Sequence, residues 1–174
     1  MGRFIRVLIH VFLVVCPDGS TETWIMNDQL AVPTDLISIE DPGNSNVDKE
    51  HARSDNNMIT FKRAQEDSNK PSIIVDIDQE DHSHSYANVY AVKVNNLNLK
   101  MLRIYKKETD DDANWVQVDA YEIPNYTNGI IQFDEPIQMG MIKVEARNNV
   151  ANSRQEDYIF NIDIAVCGFG YGMY

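Results

Sequence analysis

From Ser72 onward one pattern recurs: short runs of alternating apolar and polar residues, separated by turn-forming residues. Successive side chains of an extended strand point to opposite sides, so a period of two gathers the apolar groups on one face. "YANVYAVKV" does this with Tyr90, Val92 and Val94, and "LKMLRIY" with Leu102 and Ile104. "WVQVDAY" does it with Val116, Val118 and Ala120, and "YIFNIDIAVCG" with Phe160, Ile162, Ile164 and Val166. "SIIVDI", "GIIQF" and "GMIKVEA" are β-branched or apolar runs of strand length. No segment carries a helical apolar stripe with caps. The pattern predicts an all-β, antiparallel jelly-roll β-sandwich of about eight strands.

Before Ser72 the strand signals are shorter. Thr23–Met26, Leu36–Ile39 and "MITF" are small apolar pieces, divided by the polar loops Glu40–Asn57 and "KRAQEDSNKPS". The clearest hairpin is "LKMLRIYKKETDDDANWVQV", with strands predicted at Lys100–Lys106 and Trp115–Ala120 over a turn at Thr109–Asn114. Asp and Asn suit such a turn because they tolerate its backbone and stay in water. Leu102, Ile104, Val116 and Val118 are expected on the inward face. Trp115 has the opposite phase and is expected to lie across a sheet face or to cap the sandwich end.

The first residues, "MGRFIRVLIHVFLVVC", have a basic start and an apolar run too short to span a bilayer, as in a signal peptide. A buried N-terminal strand is the other reading. A lipoprotein box at "LVVC" is a third, although Val15 stands where Gly or Ala is expected. The predicted division is 1–20 signal peptide, 21–34 N-terminal extension, 35–168 sandwich and 169–174 Gly/aromatic tail. Cleavage near Ser20 would remove Cys16 and leave Cys167 for a bridge between chains. Retention would let Cys16 pair with Cys167. "NYT" makes Asn125 a glycosylation sequon.

The chain has 174 residues and a net charge of -12. Such an acidic surface repels phosphate backbones and anionic headgroups, which argues against nucleic acid and membrane partners. It suits glycans, basic or extracellular protein partners, and divalent cations.

The anchors along this pattern resemble the discoidin family, the coagulation-factor C-type domains among the galactose-binding-domain-like jelly rolls. They are Val75-Asp76-Ile77, Asn95, Ile104-Tyr105, Asp110–Asp112, Trp115, Phe133, Pro136, Ile142 and Cys167-Gly168. They extend over Asp35–Gly168. The resemblance implies a barrel whose hairpin Trp is a packing anchor. It does not name a ligand: "NNLN" lacks the Arg of galactose-binding members, and the early loops are charged where membrane-binding members carry apolar spikes.

"DIDQEDHSHSY" is the richest cluster of candidate chemistry. Asp78, His82 and His84 could bind a sugar or a metal, because imidazole donates, stacks and ligates. Arg53 and Asn56, from the loop Asp41–Asn57, would join them if both loops open at the same end. Asp41, Asn44 and Asp48 offer oxygen ligands, and calcium is the cofactor they would suit. No nucleophile elbow, carboxylate pair or phosphate loop is visible, so no enzyme is expected. The expected function is a secreted recognition or adhesion module binding a glycan through loops at one barrel end. The alternative is a structural subunit of an extracellular matrix or filament, an oligomer in which Cys167 and the aromatic tail join chains.

Overall fold

The structure is a computed structural model that describes residues 22–24, 37–43, 45–48, 58–62, 70–77, 87–96, 99–108, 113–122, 129–149 and 157–167. These residues form β1 (Glu22–Trp24), β2 (Ile37–Glu40), β3 (Ile59–Phe61), β4 (Ser72–Asp76) and β5 (Ala87–Asn96). They continue as β6 (Leu99–Lys107), β7 (Val116–Glu122), β8 (Gly129–Met139), β9 (Met141–Asn149) and β10 (Tyr158–Cys167). One sheet runs β1-β10-β5-β8, with β3 also on β10; the other runs β2-β4-β9-β6-β7. All pairings are antiparallel. An all-β jelly-roll sandwich was the expectation, and it is what the chain forms. The two strands beyond the expected eight reflect the short pieces β1 and β3. The stretch expected as an extension, 21–34, contributes β1 to the first sheet.

The core lies between the sheets and follows the period of two. Tyr158, Phe160, Ile162, Ile164 and Val166 of β10 are buried in it, as are Val89, Val92 and Val94 of β5. From the second sheet come Ile73, Val75, Leu102, Ile104, Ile142, Val144 and Ala146. Each fully buried Ile, Leu or Val contributes about 1.5–3 kcal/mol, so this double layer dominates the stability. Phe61 and Phe160 stack at 5.1 Å between ring centroids, which pins the short β3 to the core.

Three positions depart from expectation: Tyr90 and Ala120 beside bulges, and Val116 at the end of its strand. The β5–β8 register shifts between Val89 and Ala91, so Val89 fills the core and Tyr90 turns out to accept a 2.9 Å hydrogen bond from Gln132 Nε2. The β6–β7 register shifts between Ile104 and Tyr105, whose partners are Asp119 and Gln117. Val118 is the extra residue and packs against the core, while Val116 is 56% exposed and Ala120 is also exposed. A bulge inserts one residue and reverses the phase beyond it, which unbroken alternation cannot register.

The crossover from β8 to β9 takes a single residue, Gly140. Its N–H donates to the Lys107 carbonyl at 2.9 Å, and its carbonyl accepts from Ile77 N at 2.7 Å. Gly140 therefore ties the ends of β4 and β6 to the point where the chain changes sheets. Ala87 and Cys167 lie at this same end, because Ala87 pairs with Met139 and Asn88 with Cys167. Glu40, Ser72, Phe61 and Tyr158 mark the other end.

Candidate functional site

Two places carry organised polar and aromatic groups. The first is the Gly140 end. The segment 78–86 leaves from Ile77 and returns at Ala87, and the hairpin turn leaves from Lys107. Trp115 sits just before β7 and is partly exposed. The Lys107 and Lys143 ammonium groups lie 4.9 Å and 5.6 Å from its ring centroid, in cation–π range. The hairpin Trp thus packs on lysine side chains at the sandwich rim.

The second place is the outer face of the β2-β4-β9-β6-β7 sheet. Ile142, Val144 and Ala146 point inward, so Lys143, Glu145 and Arg147 point outward. Lys143 is nearly buried there and sits 2.6 Å from Glu40 Oε2. The same oxygen accepts a 2.6 Å hydrogen bond from Ser72 Oγ, a buried hydroxyl. Partial burial works to raise the Glu40 pKa. The hydrogen bonds from Lys143 and Ser72, with the Lys143 charge, outweigh it and hold the carboxyl below its usual value. Lys143 also lies 5.9 Å from the Tyr105 ring centroid. The Tyr105 hydroxyl donates to Glu145 Oε1 at 3.3 Å and accepts from Arg147 Nη2 at 3.1 Å. Arg147 Nε is 2.6 Å from Glu145 Oε1, but its N–H is not aimed at that oxygen, so this is an ion pair without an aligned hydrogen bond. Beside it, Arg103 Nε is buried and has no hydrogen-bond partner.

Asp78, His82, His84, Arg53, Asn56, Asn44 and Asn125 lie outside the described residues, as does the Cys167 side chain. The bases of the two candidate loops are described, and they differ. The histidine loop has its base, Ile77 and Ala87, at the Gly140 end. The loop carrying Arg53 and Asn56 leaves β2 at the opposite end and returns at β3, which pairs with Tyr158–Phe160 at the start of β10. β10 separates these ends by about 30 Å at 3.3 Å per residue.

Of the calcium candidates, Asp41 is engaged within its own loop. Its Oδ2 accepts from Ser45 N at 2.6 Å and its Oδ1 from Ser45 Oγ at 2.7 Å. Ser45 Oγ in turn accepts from Lys62 N at 2.6 Å, so the three residues clip the loop to the end of β3. Asp48 is exposed. Among the described residues no group of three His, Cys, Asp or Glu is placed to hold a metal ion.

The outer-face network was not singled out from the sequence. Its signal was there, in "MIKVEAR", where charged residues occupy every position that the apolar ones leave free.

No family model matches the chain, and no curated protein matches it in sequence. Solved structures do match. The family 32 carbohydrate-binding module of Clostridium perfringens NanJ, in complex with galactose, superposes with a TM-score of 0.52 at 17% identity over 83% of this chain and 98% of that one. The fold is a galactose-binding-like jelly roll. An F5/8 type C domain from Bacteroides fragilis matches this jelly roll with a TM-score of 0.53 at 11% identity, over 84% of this chain and 98% of the other. Discoidin II from Dictyostelium discoideum matches with a TM-score of 0.51 at 13% identity, over 89% and 61%. The resemblance of the strand anchors to discoidin and coagulation-factor C-type domains therefore extends to the three-dimensional fold.

Proposed function

We propose that this jelly roll is a secreted, non-enzymatic glycan-recognition module that works from the Gly140 end. The observation that carries the reading is the superposition on nearly the whole of a carbohydrate-binding module seen with galactose. The local geometry supports it. Gly140 fastens the ends of β4 and β6 to the β8–β9 crossover, and a binding loop needs such a base to hold its ligand without a large ordering cost. Trp115 offers a partly exposed indole beside that base. The loop with Asp78, His82 and His84 starts there, so these residues are kept in the proposed site. Arg53 and Asn56 belong to a loop based at the other end and are not.

A glycan array probed with the secreted chain tests this reading, followed by titration of the strongest neutral glycan. A His82→Ala/His84→Ala variant is expected to weaken that binding about tenfold, the loss of one or two hydrogen bonds. Binding should also weaken between neutral pH and pH 5, where imidazole protonates. No bound glycan on the array overturns the function. Binding indifferent to both substitution and pH removes the histidine loop from the site.

A further inference from the structure

We propose that Lys143 is the positioning residue of the Gly140-end site: its ammonium, fixed by Glu40, holds the Trp115 indole where a sugar ring can stack on it. This rests on the glycan reading above and adds to it the group that keeps the stacking surface in place. Trp115 needs such a group. It precedes β7, and the ladder with β6 begins only at Val116, opposite Lys106. Among the described residues no strand pairing fixes the backbone at Trp115, and the residue is partly exposed.

Two ammonium groups lie against the indole, and they are not equivalent. Lys107 Nζ is nearer, 4.9 Å from the ring centroid, but Lys107 ends its strand and its ammonium has no second contact among the described residues. Lys143 Nζ lies 5.6 Å from the centroid and is held from two further sides. Glu40 Oε2 is 2.6 Å away, and the Tyr105 ring centroid is 5.9 Å away. These neighbours are themselves fixed. Ser72 Oγ donates to the same Glu40 oxygen, and the Tyr105 hydroxyl is bonded to Glu145 and Arg147. The Lys143 side chain is only 12% exposed, and a desolvated ammonium attracts an aromatic face more strongly than a hydrated one. Lys143 therefore carries the rigidity of β2, β4 and β6 to a ring that its own strand does not hold. A ring set in advance spares the ligand the cost of ordering it. Both lysines rise from the outer face of the sheet, so the indole face turned away from the sheet is the one that takes the sugar.

The test uses the full chain carrying Trp24→Phe, which leaves Trp115 as the one indole. Acrylamide quenching of its fluorescence reads how firmly the ring is held, and titration with galactose reads the site. Lys143→Met keeps the stem and removes the charge. It should raise the quenching constant about twofold and weaken galactose binding about fivefold, the loss of one partly desolvated cation–π contact. Lys143→Arg keeps a cation and should restore both readings. Glu40→Gln leaves Lys143 in place without its anchor and should raise quenching by a smaller amount, which keeps the test decisive if Lys143→Met does not fold. Unchanged quenching in both Lys143→Met and Glu40→Gln, no recovery in Lys143→Arg, or quenching that rises while galactose affinity stays the same would each overturn the proposal. A Trp24→Phe chain that binds no galactose yet shows the expected quenching pattern overturns the glycan reading and upholds the Lys143 contact.

Discussion

At the scale of single residues, Glu40 and Gly43 show how few atoms hold the turn after β2 in place. Glu40 has its pKa lowered in the folded state against an ordinary value of 4.5. A depressed carboxyl stabilises the fold above its unfolded pKa, and that contribution is lost as pH falls through the folded value. Urea midpoints of wild type and Glu40→Gln should therefore differ at pH 7. The gap should begin to close below about pH 4.5 and vanish at lower pH. A gap constant across that range would show that the Lys143 and Ser72 contacts do not favour the charged form. Gly43 passes close to β3: a Cβ there would lie 1.8 Å from the Lys62 carbonyl oxygen. Gly43→Ala must push that backbone aside and should cost about 2 kcal/mol, read as a lower denaturant midpoint. Ser45→Ala removes the acceptor of the Lys62 N–H and should cost about 1 kcal/mol. Neither glycine nor serine could be read as special from the sequence, because the partner is 17 residues away from Ser45 and belongs to another sheet.

At the scale of elements, the hairpin of β6 and β7 shows what alternation can and cannot reveal. The strands were expected at Lys100–Lys106 and Trp115–Ala120, and they run Leu99–Lys107 and Val116–Glu122. Leu102 and Ile104 are fully buried as predicted. Val116 is not, because it pairs with Lys106 at the end of β6, in phase with Ile104 but beyond the packed core, whereas the bulge at Val118 is what turns Ala120 outward. Substitution distinguishes the two valines. Val116→Lys should change stability by no more than about 0.5 kcal/mol. Val118→Lys should cost about 2 kcal/mol or more, as packed apolar surface is lost. Equal effects at the two positions would show that Val116 is packed as closely as Val118. Ile104→Asp places an unpaired charge in the core and should abolish folding, read as loss of the cooperative denaturation transition. Ile104→Val should cost only about 1 kcal/mol.

For the whole molecule, the fold was legible because both sheets bury one face, and burial writes itself as a period of two. The candidate site was less so. The histidine loop is the richer of the two in sequence, but nothing in either loop says whether they share an end, and only the pairing of β2 with β4 and of β3 with β10 assigns their bases to different ends. Which end a loop occupies is a property of topology and leaves no mark in the loop itself. The outer-face network was legible in β9 alone, but its partners Glu40, Ser72 and Tyr105 come from three other strands.

The pairing of β1 with β10 has a mechanical consequence. Glu22 is the register partner of Cys167, so the chain arrives and departs on neighbouring strands at one end of the sandwich. Tension applied at those two residues would load the ladder one hydrogen bond at a time, as a zipper opens, rather than all its bonds together in shear. Single-molecule pulling from Glu22 and Cys167 should detach β1 at low force before the rest of the sheet gives way. An isolated high-force rupture would show that other strands carry the load. The same adjacency means that a host chain could accept the domain between two of its own neighbouring residues with little change in its path.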